Sequence, residues 1–259
     1  MSFDLNITYL AIAGALTLRL AIVTATLPLL DRASVPLLWR LAVAPALAST
    51  LAPAVLAATP PLTSITWPLL ITEALRSLLV GALLAFTVNL AFTAVRYAGH
   101  IVGMQIGFAI VNSFDPQSGA QVSVIAQFYY LLAVLLFFAV DGHHALIGAM
   151  YQSCVVLPPL RPVDAGAGAW LMLQEYGAVF SLGLRIAAPV VIVLLLISAT
   201  MGVIVKTVPQ MNVLVVGFPI KIAAGLMTLG LSLVFFREIC MAAIGSLGDQ
   251  LGRVLLALR

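Results

Sequence analysis

Ser77–Val95 reads SLLVGALLAFTVNLAFTAV, an uncharged stretch about as long as the roughly 20 residues of helix that cross a bilayer's apolar layer. The rest of the chain has the same character. Of its 259 residues, 63% are hydrophobic and 8% charged, whereas soluble domains carry about 25% charge. That excludes an ordinary soluble enzyme and points to an all-α membrane protein. Twelve Lys and Arg stand against nine Asp and Glu without any basic run, so nothing supports nucleic-acid binding. Cys154 and Cys240 are too few and too far apart for a disulfide framework or a cysteine-built zinc site, and read as inert buried thiols. The N-terminal MSFDLN carries an acid where a signal peptide needs a basic region, so the first apolar segment is expected to stay in the protein.

Working outward from Ser77–Val95, one segment runs from about Leu5 to Leu30 and is interrupted only by Arg19. A proline-rich run from Leu41 reads as one kinked helix to about Ala58, followed by a loop. The third helical region begins near Leu69 and carries Glu73 and Arg76 one turn apart, where they can neutralise each other. It continues to Val111 and gives way to NSFDPQSGAQ at Asn112–Gln121, the most polar decapeptide in the chain. A charge-free helix over Val122–Val140 stops at Asp141-Gly142 and resumes from about Ala145 to Val156. Pro158, Pro159 and Pro162 open a loop through Gly168. Spans are expected over about Tyr176–Val205 and Ile222–Leu247. Between them Lys206–Lys221, with Pro209 and Pro219, reads as a buried bend or re-entrant turn. Lys and Arg do not alternate cleanly between loops, so orientation stays open. No internal repeat stands out, and the many breaks suggest that much of the surface faces protein neighbours.

Gly99, Gly103 and Gly107 recur every fourth residue and strip one helix face of side chains, so another backbone can approach there, from this chain or from a partner. Gln105 lies on a different face. Asp115-Pro116 and its polar neighbours read either as a surface loop or as a segment closing an aqueous path, because irregular polar backbone at membrane depth needs protein or water around it. Phe108, Ile110, Val111 and Phe114 would give such a segment sealing bulk. Asp141, His143 and His144 invite a metal or proton-relay reading, but adjacent histidines diverge on a helix, and a helix-to-helix turn is the simpler account. Arg19, Arg96, Arg185, Lys206 and Lys221 join Glu73 and Arg76 within or beside apolar segments, where charge commonly faces a bundle interior or a cavity. No catalytic triad, phosphate-binding glycine loop or carboxylate pair is present. Neither a cofactor nor a metal is expected.

Taken in order, Arg96-x-x-Gly99-x-x-x-Gly103-x-Gln105-x-Gly107-Phe108, Asp115-Pro116, Asp141-Gly142-His143-His144, Pro209-Gln210-Met211-Asn212 and Gly217-Phe218-Pro219-x-Lys221 resemble the FliR/SctT family of type III secretion export gates. The resemblance covers about Leu18 to Val234, and its DGHH and PQMN…GFPxK segments look more like the flagellar branch than the virulence one. It implies a single export-gate domain over 1–259, built of tilted helical hairpins with broken helices. The subunit would sit in a helical assembly with FliP and FliQ, adjoining FlhB and FlhA, in the inner membrane at the flagellar basal body. Unfolded flagellar proteins would pass through it. The resemblance also implies that about Phe108–Val122, including Asn112 and Gln117, projects into the pore and helps to close it, and that the glycine face serves intersubunit packing. A small-solute transporter built on the buried charges is the alternative, although no internal repeat supports it; an intramembrane metal hydrolase using His143 and His144 ranks below both.

Overall fold

The computed structural model describes residues 7–26, 36–58, 66–108, 123–158, 163–207 and 213–259. Among them are helices α1 (Ile7–Thr26), α2 (Leu37–Ala58), α3 (Trp67–Ile106), α4 (Val124–Ala139), α5 (Gly142–Val156), α6 (Ala165–Thr207), α7 (Val213–Gly245) and α8 (Leu247–Ala257), and no strand. Among the described residues, four stretches are long and apolar enough to cross a membrane, or five if α4 and α5 form one broken span. The protein is all-α. Its contacts gather into two compact units, Met1–Leu90 with Asp141–Tyr176 and Gly245–Arg259, and Ala91–Val140 with Gly177–Ile244.

In the first unit α1 lies along α2, and α5 packs on α8. Ile12, Leu16, Leu20 and Val23 form the buried stripe of α1, while α2 buries Ala44, Ala48, Ala52 and Val55. Both stripes keep the helical spacing of three and four residues. The alanines let the two helices approach closely, as membrane helices must when lipid offers no hydrophobic drive for them to associate. Pro45 and Pro53 lie inside α2 without ending it. Gly81 of α3 passes α1 so closely that a Cβ there would stand 2.5 Å from the Arg19 carbonyl oxygen. Buried Leu247, Leu251, Val254 and Leu255 give α8 one apolar face, and Arg253 on its other side pairs with Glu175 at 3.1 Å.

Arg19 is 1% exposed and forms no ion pair among the described residues. Its Nη1 donates to the Ser153 carbonyl at 2.7 Å and to Ser153 Oγ at 3.3 Å, and Nη2 donates to the Leu157 carbonyl at 3.5 Å. Those carbonyls close the C-terminus of α5, so the guanidinium serves as its cap and meets the negative end of its dipole. Asn89 serves α1 in the same way, donating from Nδ2 to the Thr26 carbonyl at 3.0 Å. Glu73 and Arg76 meet at 3.0 Å, with Ser77 Oγ donating to Glu73 at 3.2 Å.

The second unit is aromatic. Phe92 meets Tyr130 and Phe137 at ring-centre distances of 6.1 and 5.7 Å, and Tyr129 meets Phe236 at 4.8 Å. Arg96 lies 4.1 Å over the Tyr130 ring, a cation–π contact that answers its charge without a carboxylate.

Four sequence expectations change. The stretch expected as a loop through Gly168 is helical from Ala165, because Asp164 Oδ1 accepts from the Ala167 amide at 3.0 Å and caps α6. The bend expected over Lys206–Lys221 narrows: α6 runs to Thr207 and α7 resumes at Val213, with Pro219 tolerated inside it. The span expected over Ile222–Leu247 ends at Gly245, and the amphipathic α8 follows it. Helix α5 resumes at Gly142 rather than Ala145.

Replacing Arg19 with Ala leaves the Ser153 and Leu157 carbonyls without donors and opens a cavity. It should cost about 3 kcal/mol, read as a fall of roughly 6–10 °C in the unfolding midpoint of detergent-solubilised protein. An unchanged midpoint would contradict the capping role.

Candidate functional site: the glycine-faced end of α3

The C-terminal end of α3 carries the Gly99, Gly103 and Gly107 face, and the chain's own helices fill it. A Cβ on Gly99 would run into the backbone of Ala126 in α4, one on Gly103 would meet Ser123 Oγ, and one on Gly107 would stand 2.9 Å from Phe218 Cε1. Because Gly99 pairs with Ala126 and Gly103 with Ser123, α3 and α4 run antiparallel with almost no side chain between them. Ser123 is the N-cap of α4, accepting from the Ala126 amide at 3.4 Å.

Helix α3 stops for a local reason. The Gly107 amide still bonds the Gly103 and Met104 carbonyls, at 3.3 and 3.1 Å, but its φ of +108° lies where only glycine rests without strain. Phe108 follows, half-buried. The polar stretch that begins at Asn112 therefore leaves from a left-handed glycine and returns at a capping serine. Ile110, Val111, Asn112, Phe114, Asp115, Pro116 and Gln117 lie outside the described residues, as do Pro209, Gln210 and Asn212. Gln105 is half-buried and His100 exposed on the same helix.

Helix α7 brings the other motif residues alongside. Gly217 is buried, Phe218 and Lys221 are half-buried, and Pro219 is exposed. A cleft of about 280 Å³ between α6 and α7 is lined by Ser198, Met201, Gly202, Val205, Gly217, Phe218 and Lys221. Farther along α7, a Cβ on Gly225 would stand 2.6 Å from Ile106 Cγ1, so the last residue of α3 fills a notch in α7. Phe218 is the residue that sequence reasoning misses, since within GFPxK it stands only as one letter of a motif. An aromatic beside a buried glycine, facing a glycine-ended helix, is the signal that could have found it.

Asp141, His143 and His144 lie at the start of α5. Asp141 has φ 56°, the only non-glycine positive φ among the described residues, and its Oδ1 is 3.3 Å from His144 Nδ1, both side chains being exposed. The three donor atoms fall within 4.8 Å of one another, a set that could reach a divalent ion. The positive end of the helix dipole opposes a cation there, and the Asp141–His144 contact already occupies two of the donors. The turn breaks the helix between α4 and α5, and Asp tolerates the left-handed conformation better than most residues.

Residues 10–247 match the family described as bacterial export proteins, family 1. The chain is similar to the flagellar biosynthetic protein FliR of Pectobacterium carotovorum, 38% identical over 161 residues covering 61% of each chain. It is 32% identical to FliR of Escherichia coli over 210 residues, 81% of this chain and 79% of that one. It is also 35% identical to FliR of Bacillus subtilis over 159 residues, 60% of this chain and 61% of that one. The chain thus spans about three fifths of the length of the Pectobacterium and Bacillus relatives it matches.

The contacts grade the glycines. Gly99→Ala meets fixed backbone and should lower thermal stability most. Gly103→Ala meets a serine hydroxyl that can turn away and should cost less. Gly177→Ala, with nothing within 4 Å of its Cβ, should gain up to about 1 kcal/mol of helix propensity. Unfolding midpoints of the three variants in one detergent check the order; equal values would contradict it.

Proposed function

The chain belongs to the bacterial export proteins, family 1, the family of the flagellar FliR proteins, and from that membership we propose a noncatalytic subunit of the flagellar type III export gate. It helps to form and to close the inner-membrane channel through which unfolded flagellar proteins leave the cell. The observation that carries this reading is the family match across nearly the whole chain. Its partners are FliP- and FliQ-like chains, with FlhB and FlhA adjoining.

Packing within the chain supports such an assembly. Only 11% of the apolar window of α6 and 17% of that running through α7 is buried, against 56% for α3. Exposed Leu195, Leu196, Met227, Leu231, Val234 and Phe235 therefore need lipid or neighbouring subunits to cover them. The segment after Phe108 is suited to closing a wet lumen: Ile110, Val111 and Phe114 supply apolar bulk, while Asp115 and the polar backbone are tolerable because water reaches them. Its two ends are anchored on a hairpin that glycines hold tightly closed. The sequence offers no nucleotide-binding loop, so the energy for export comes from elsewhere in the apparatus.

Two measurements test the reading. Affinity purification in mild detergent should bring FliP- and FliQ-like chains with the protein; a lone, monodisperse chain that binds a small solute would sink it. Shortening Asn112–Gln121 in the assembled gate should raise ion leakage across the membrane, and no change would remove the closing role.

A further inference from the structure

Phe218 stands between two places it can occupy. On one side its ring edge covers Gly107, where an added Cβ would lie 2.9 Å from Cε1 and 3.3 Å from Cδ1. No other residue type leaves room for the ring there or accepts φ +108° without strain. On the other side is the α6–α7 cleft of about 280 Å³, of which Phe218 itself forms part of the wall. The cleft is open at Gly202, where an added Cβ would have nothing within 4 Å. Ile106 meanwhile sits fully buried in the notch over Gly225, against Leu194. The end of α3 is therefore held to α7 at two points, a fixed one at Ile106 and one at Gly107 whose aromatic partner has somewhere else to go.

We infer that Phe218 is a two-seat latch on the end of α3: seated over Gly107 it holds the left-handed turn, and turned into the α6–α7 cleft it releases it. The inference deepens the proposed function and rests on it in one respect, since the chain leaving Gly107 is the segment assigned there to closure. Aromatic side chains flip between discrete rotamers, and interfaces packed in this way are bistable rather than continuously deformable. A change in the seat of this one ring would thus reach the end of α3. Phe218 is a positioning residue: it acts through Gly107 and need not touch the passing polypeptide.

The test uses the assembled gate in mild detergent and reads amide hydrogen exchange by mass spectrometry in peptides covering residues 100–108. Phe218→Ala should speed exchange there several-fold while α4 peptides stay as they were, and Phe218→Leu should fall between. Gly202→Leu fills the second seat and should slow exchange over the same residues. A general loss of stability cannot produce opposite signs. Unchanged exchange in Phe218→Ala overturns the latch, and unchanged or faster exchange in Gly202→Leu overturns the second seat. If Phe218→Ala does not assemble, Phe218→Leu and Gly202→Leu carry the same readings. Ion leakage separates this inference from the reading beneath it. Leakage on shortening Asn112–Gln121, with exchange unmoved in Phe218→Ala, keeps the closing role and sinks the latch. Faster exchange in Phe218→Ala, with no leakage from it or from the shortened segment, keeps the latch and sinks the closing role.

Discussion

Close approach of helix backbones is the constraint on which this structure depends. In a chain this apolar the hydrophobic effect does little to choose among helix neighbours, because lipid tails suit Leu and Val as well as another helix does. Selection falls to places where side chains are missing. Gly81 admits the Arg19 carbonyl, Gly99 and Gly103 admit the start of α4, and Gly183 admits the Tyr97 ring and the Ala94 carbonyl. The alanine stripe of α2 serves α1 in the same way. Dispersion gained over such contacts is small per atom and large in sum, and a single methyl in the wrong place removes it.

Polar groups follow a second rule, that of finding a partner before they are buried. Several here are spent on helix ends. Arg19 closes α5, Asn89 closes α1 and Asp164 opens α6, so groups that look costly in the sequence satisfy the backbone groups that helix termini leave unpaired. Arg96 over Tyr130 and Glu73 with Arg76 and Ser77 find their partners nearby.

Much of this is legible in the sequence. Composition fixes the class, and the glycine spacing marks the face that carries the hairpin, because a period of four on a helix has one geometric meaning. Glu73 and Arg76 can be paired from spacing alone. What cannot be read is decided by partners distant in sequence. The Asp164 amide donates to the Leu258 carbonyl at 3.2 Å, tying the start of α6 to the far end of the chain, and the partner of the α8 apolar face, α5, lies about a hundred residues away. Pro219 misleads: it reads as part of a bend, whereas α7 runs through it, just as α2 runs through Pro45 and Pro53 in keeping with the kinked-helix reading. Phe218 escapes notice because its meaning depends on a glycine more than a hundred positions earlier in the chain.

The uncovered flanks of α6 and α7 carry a consequence for thermodynamics. Whatever covers them binds the folded chain and not the unfolded one, so folding is linked to that binding by mass action. The stability of this polypeptide is then not a fixed property of its sequence. It rises with the supply of its surroundings, so a cell making the chain in excess of what covers it accumulates a species that proteases clear first.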